Sequence, residues 1–356
     1  MAEHPYRDLP VENYWKRSVA EPAFDLVDPV VRAKFRIGPS DRIATAGSCF
    51  AQHIARHLKA SGFNYYVWEP ANPVIPEDLA EQYGFGLFSG RYGNIYTSRQ
   101  LIQLLKRAYG YFQPVEDVWI RDDGRLIDPF RPQIQPDGFA SADEYAADRR
   151  QHLAAIRRMV EELDIFIFTL GLTEGWVSRD DGAAYPLCPG VAGGTFDDSR
   201  HEFVNLRVRA VIADLQEAMS FIRTRNPGAR FILTVSPVPL VATAEKRSVI
   251  VSTTYSKSVL RVAAEEIANA DDCTAYFPSF EIITGNHTRG RYFANDLRSV
   301  TEEGVSRVMG LFMHHYADTT QSPRQPPEPG PVVDSKAEQV IAAAIAVMCD
   351  EEALDR

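Results

Sequence analysis

Arg42-Ile43-Ala44-Thr45-Ala46-Gly47-Ser48-Cys49-Phe50-Ala51-Gln52-His53-Ile54-Ala55 is the stretch whose reading decides the fold. It reads as a short apolar strand, a glycine turn, a serine, and then an amphipathic helix. Gly47 allows the chain to turn tightly between the two elements. Ser48 then stands at the carboxyl end of a strand and the amino end of a helix. At such a place unpaired backbone N–H groups and the helix dipole can hold a developing oxyanion. Ser48 is therefore a candidate nucleophile, and equally a candidate helix cap. The stretch alone leaves both open.

Working outward, the chain alternates strands with helices. A helix continues over 52–60, and Tyr65-Tyr66-Val67-Trp68, rich in β formers, predicts a second strand. Apolar residues at 101, 102, 104 and 105 predict a helix over 98–108, and 142–163 reads as a long charged helix. The runs 164–171 and 231–235 are continuously apolar, as in parallel strands buried on both faces. A hairpin over 176–186 turns at Asp180-Asp181-Gly182, and helices are predicted over 203–224, 257–269 and 301–316, with a short strand over 274–277. This alternation argues an α/β fold, three-layer α/β/α, with a mostly parallel sheet. Ser48, Gly171 and Ser236 each follow an apolar strand, where open α/β sheets place ligands.

Residues 1–40 read as an N-terminal extension, 41–318 as the main domain, and about 111–141 as an insertion over the sheet. Residues 319–334 include a proline-rich stiff linker, and 335–356 read as a C-terminal helix that docks back or meets a partner chain, making an oligomer.

The 356 residues carry a net charge of −10, which argues against a nucleic-acid partner. No apolar run reaches the roughly eighteen residues of a membrane span. The first residues do not form a basic and then apolar leader, so the expected location is the cytoplasm. Cysteines at 49, 188, 273 and 349 are too scattered for a metal pair or a disulfide framework. His53 and His57 have a metal-pair spacing but no evident third ligand, so no metal is expected. No phosphate-cradling glycine loop follows a strand, and no cofactor is expected.

Gly47-Ser48-Cys49-Phe50-Ala51 spells the motif of the GSCFA domain family, which resembles the SGNH (GDSL-like) hydrolases. Further blocks are similar to that family in the same order: Thr169-Leu170-Gly171, Thr234-Val235-Ser236-Pro237-Val238, Tyr255-Ser256-Lys257-Ser258, Tyr276-Phe277-Pro278-Ser279 and Arg291-Tyr292-Phe293-Ala294-Asn295-Asp296. The resemblance implies an SGNH-hydrolase-like (flavodoxin-like) fold with insertions. It also implies a bacterial serine esterase or acyltransferase acting on an acyl ester, such as that of a small molecule or glycan.

By that resemblance, the Ser48 N–H and the loop at Gly93 and Asn94 would hold the oxyanion, with Thr173, after Gly171, as a third donor. Lys257 would contact an anionic or glycan substrate. Asp296 matches the last catalytic block, but Ser299 stands where the family has its histidine. A serine hydroxyl cannot replace imidazole as a general base. His287 and His201, both in loop-like segments, are the candidates to supply the missing base, in preference to His53. Cys49, next to Ser48, is expected to pack under the helix. The rival reading is a binding protein that kept the fold and lost the triad; another is substrate-assisted proton transfer.

Overall fold

The computed structural model describes residues 4–317 and 350–355. The elements in chain order are β1 (Ile43–Gly47), α1 (Phe50–Ala60), α2 (Glu77–Gln82), α3 (Ser98–Ala108), β2 (Trp119–Ile120), β3 (Leu126–Ile127), α4 (Ala142–Glu162), β4 (Ile165–Leu170), β5 (Glu174–Ser178), β6 (Ala184–Tyr185), β7 (His201–Asn205), α5 (Val208–Arg225), β8 (Arg230–Val235), α6 (Val249–Ala270), β9 (Thr274–Phe277), α7 (Ser279–Thr284) and α8 (Glu302–Tyr316). A 3₁₀ turn covers Asp350–Asp355. The C-terminal helix expected up to Met348, and the linker before it, lie outside the described residues.

The central sheet is parallel, in the order β1-β4-β8-β9. Its side chains alternate between two cores. Ala44, Phe166, Phe168, Phe231 and Leu233 pack with the helices α3, α4, α5 and α6. Ile43, Ile165, Ile167, Ile232 and Phe277 pack with α1, α7 and α8. This is the expected three-layer α/β/α arrangement, and double-sided burial explains the continuous apolar strands.

The second strand expected over 65–68 is reduced to one parallel bridge, Tyr65 to Ile43. The Ile43 N–H and carbonyl pair with Asn64 and Tyr66, on the side of β1 away from β4. One step further along, Ser89 intervenes: its Oγ accepts from Thr45 N at 3.1 Å and its carbonyl from Trp68 N at 2.8 Å. The strand is capped before it can lengthen. Counting the bridge, the order is 2-1-3-4-5, that of a flavodoxin-like sheet, whose ligands sit where the order reverses. Here that point lies between the ends of β1 and β4.

A second sheet, β6-β5-β7, is antiparallel and contains the expected hairpin at Asp180-Asp181-Gly182. The helix expected from residue 203 starts only at Val208, because residues 201–205 pair with β5. The helix expected from Lys257 starts earlier, at Val249, with Ser248 Oγ capping Ile250 N. β2 and β3 form a two-stranded hairpin within the expected insertion.

Two glycines let β1 and β4 close. Gly47 has φ 137°, and a Cβ there would sit 2.3 Å from the Thr169 carbonyl oxygen. A Cβ at Gly171 would lie 2.8 Å from the Ser48 Cβ. Gly47→Ala should therefore lower stability by more than about 3 kcal/mol, from strain and clash together. Gly93 also has positive φ, 65°, but open space around it. Gly93→Ala should cost only about 1 kcal/mol. Urea midpoints of the two variants check the contrast; equal shifts would mean that the β1–β4 junction can relax.

Candidate active site

Ser48 lies between β1 and α1 and is 3% exposed. Its backbone N–H continues the strand pairing, donating to the Thr169 carbonyl at 3.2 Å. That amide is spent and does not serve as the oxyanion donor expected from the sequence. Its carbonyl accepts from Ala51 N at 2.8 Å. The side chain does not cap α1: the N-cap position is Cys49, and Ser48 Oγ, buried, has no hydrogen-bond partner among the described residues. A buried hydroxyl without a partner costs about 1–3 kcal/mol. The helix-cap reading thus gives no account of this residue.

The neighbours of Ser48 come from three loops. After β4, Gly171 packs directly on it. The Gly171 and Leu172 amides donate to the Tyr96 carbonyl, at 3.2 and 2.9 Å. Tyr96 is held by local chemistry: Thr97 and Gln100 form a capping box at the start of α3, and Gln100 Oε1 also accepts from Tyr96 N at 2.9 Å. Ile95 N donates to the Gly47 carbonyl at 2.8 Å, which ties the Gly93–Tyr96 loop to the end of β1. Asn94, buried beside it, points its Nδ2 at a carboxylate oxygen of Asp350, 3.1 Å away.

Lys257, on α6, is 2% exposed and donates from Nζ to the Gly171 carbonyl at 2.7 Å. Burial pushes its ammonium down to about 8, against the pull of Glu351 and Cys49; Arg298 adds to the lowering. Desolvation outweighs attraction here because charge in a dry pocket loses more hydration than two partners return. Cys49 is buried, as expected for a residue packed under the helix.

The matching family profile covers residues 42–312. The chain belongs to the GSCFA family. No curated protein matches it. The family's naming motif is therefore the β1–α1 junction just described, and the GSCFA blocks around Thr169, Ser256 and Asp296 meet at or near it.

The histidines of this GSCFA chain sit elsewhere. His201 begins β7, where its Nδ1 accepts from Asp197 N at 3.1 Å and its Nε2 meets Glu116 at 2.8 Å. Both ring nitrogens are engaged. His287 lies in a 3₁₀ turn over Asn286–Thr288, lining a surface cavity with Trp15, Phe24 and Arg291. His53 is turned toward Phe50, Arg56 and His57, and burial pushes its imidazole down to about 4. None of them reaches Ser48 Oγ. Asp296 is exposed and accepts from Arg298 N, Ser299 N and Ser299 Oγ, at 3.0, 2.9 and 2.6 Å. The residue standing in the histidine's place takes the aspartate for itself. The result is a tight turn with Leu297 at φ 55°, and the turn carries Arg298.

One further expectation is corrected. The Thr173 hydroxyl donates to Asn205 Oδ1 at 2.7 Å, so it is not offered to the cleft. Glu174 turns away from Ser48, its two carboxylate oxygens accepting from Thr243 Oγ1 at 2.8 and 2.9 Å, and burial raises its carboxyl. Sequence reasoning did not find Arg298, Asp350 or Glu351. Arg298 stood inside a block already singled out, but a loop arginine carries no signal of its own.

Ser48→Ala should leave the fold intact and raise Tm by roughly 2–4 °C, since it removes a buried hydroxyl that has no partner. Thermal unfolding checks this. A fall of several degrees would show that the hydroxyl caps α1 after all.

Proposed function

We propose that this protein is a serine acyl-ester hydrolase or acyltransferase with SGNH-like chemistry, in which Lys257 takes the part of the absent histidine. The observation that carries this reading is the buried, unpartnered Ser48 Oγ at the start of α1, packed against the residue whose carbonyl holds a buried lysine.

In the first half-reaction, Ser48 Oγ attacks the ester carbonyl and its proton passes to neutral Lys257 Nζ. The oxyanion forms against Asn94 Nδ2 and the Phe50 amide in the first turn of α1, where amides lack intrahelical acceptors. The C–O bond to the alcohol breaks, and the Lys257 ammonium returns the proton to the departing oxygen. In the second half, water or an acceptor hydroxyl repeats the sequence and frees Ser48. An acylated carbohydrate fits as substrate, and the same steps serve hydrolysis and transfer. Lysine serves as a base only when burial lowers its pKa, which is the case here. Hydrogen bonds between a nucleophile and its base often form only when substrate is bound.

A binding protein that kept the fold is the second reading, favoured by the pairing of Asp296 with Ser299 and by the lack of a histidine hydrogen-bonded to Ser48 Oγ among the described residues. A fluorophosphonate probe separates the two. Labelling should map to Ser48 and vanish in Ser48→Ala. The base must be neutral, so the rate should rise tenfold per pH unit below about 8 and level off above it. A histidine base would level near pH 6.5. Lys257→Arg, which stays charged, should lose about a hundred- to ten-thousand-fold with no titration in this range. No labelling at any pH would leave the binding reading.

A further inference from the structure

The charges around Lys257 have a source far along the chain. The 3₁₀ turn Asp350–Asp355 is docked against the cleft, and Asp350 and Glu351 are both buried. Asp350 N donates to Tyr96 Oη at 3.0 Å, and its carboxylate accepts from Asn94 Nδ2. Glu351 pairs with Arg298 at 3.3 Å, with both side chains largely buried, and lies within electrostatic reach of Lys257. Leu354, one turn on, lines a cavity of about 340 Å³ together with Leu172, Trp176, Leu187, Phe203 and Leu240. Glu351 lines the same cavity.

We propose that the cleft beside Ser48 takes a substrate bearing an anionic group next to an apolar chain, and that Asp350–Asp355 occupies that place in the resting protein. The turn presents what such a substrate would present. A carboxylate faces Lys257 and Arg298, and the apolar Leu354 side chain, 41% exposed, lines the cavity. A second carboxylate takes the amide that the proposed mechanism assigns to the oxyanion. Arg298 is delivered by a turn that holds Leu297 at positive φ, a conformation strained for a non-glycine residue. Ser48, whose buried Oγ has no hydrogen-bond partner among the described residues, packs on Gly171, and the next residue, Leu172, lines the cavity. The substrate half of this inference rests on the esterase reading; the occupancy half does not.

The experiment uses the full chain with Glu351→Lys and Leu354→Asp combined, which removes both features of the docked turn and leaves the cleft residues intact. Two rates are read: fluorophosphonate labelling of Ser48, and iodoacetamide alkylation of the buried Cys49, mapped by mass spectrometry. Both should rise by about tenfold or more, as expected when a site closed in most molecules opens. A synthetic peptide, Asp-Glu-Glu-Ala-Leu-Asp-Arg, should slow both again, and the same peptide with lysine for its first glutamate should not. The opened variant should cleave a p-nitrophenyl monoester of a dicarboxylic acid faster than the p-nitrophenyl ester of a monoacid of equal length. Arg298→Gln should erase that preference. Unchanged Cys49 alkylation together with no protection by peptide would overturn the occupancy. Equal cleavage of the two esters would overturn the anionic substrate. Faster Cys49 alkylation with Ser48 unlabelled under every condition would keep the occupancy and overturn the esterase reading.

Discussion

The close approach of two strand ends is the constraint on which the rest of the site depends. β1 and β4 can meet at their carboxyl ends only because residues 47 and 171 carry no side chain. Everything nearby inherits its place from that contact. Ser48 is pressed onto Gly171, the Gly171 amide reaches the Tyr96 carbonyl, and the Gly171 carbonyl accepts from Lys257. Three segments distant in sequence are thus fixed to one residue. A side chain at residue 47 would run into the β4 backbone at Thr169, and one at residue 171 would run into Ser48 and Tyr96.

Much of the fold was legible because burial writes itself into local pattern. A strand covered on both faces must be apolar throughout, so 165–170 and 231–235 could be read directly. Elements decided by distant partners were not. Tyr65–Trp68 has strand-forming residues, but Ser89 takes the backbone groups that would have extended the pairing. Residues 203–205 run straight into the apolar pattern of α5, yet β5 recruits them into a ladder. Tertiary pairing sets the element's extent in both cases.

The site divides the same way. The serine, its glycine and the asparagine loop were visible, because a strand–turn–helix junction has a local signature. The search for a base was confined to imidazole, since lysine is a base only when desolvated, and nothing at Tyr255-Ser256-Lys257-Ser258 says that residue 257 is buried. Its burial depends on elements on either side of α6 and on the docked turn. The contact between Asn94 and Asp350 spans 256 residues, and no periodicity can report it.

The electrostatics give a reason for the cleft to hold an anion at all times. Lys257 and Arg298 share a pocket with little water, and each lowers the stability of charge on the other. Arginine stays protonated, so the lysine yields, and Glu351 partly restores its charge. When the turn leaves, the Glu351 carboxylate goes with it, and the water that takes its place relieves the burial that lowers the lysine most. The two changes act in opposite directions on the Lys257 charge. Docking of Asp350–Asp355 fills the space a substrate needs, and a substrate that takes over that space has to supply both what the turn supplies: a carboxylate-like charge against Arg298 and the exclusion of water from the lysine.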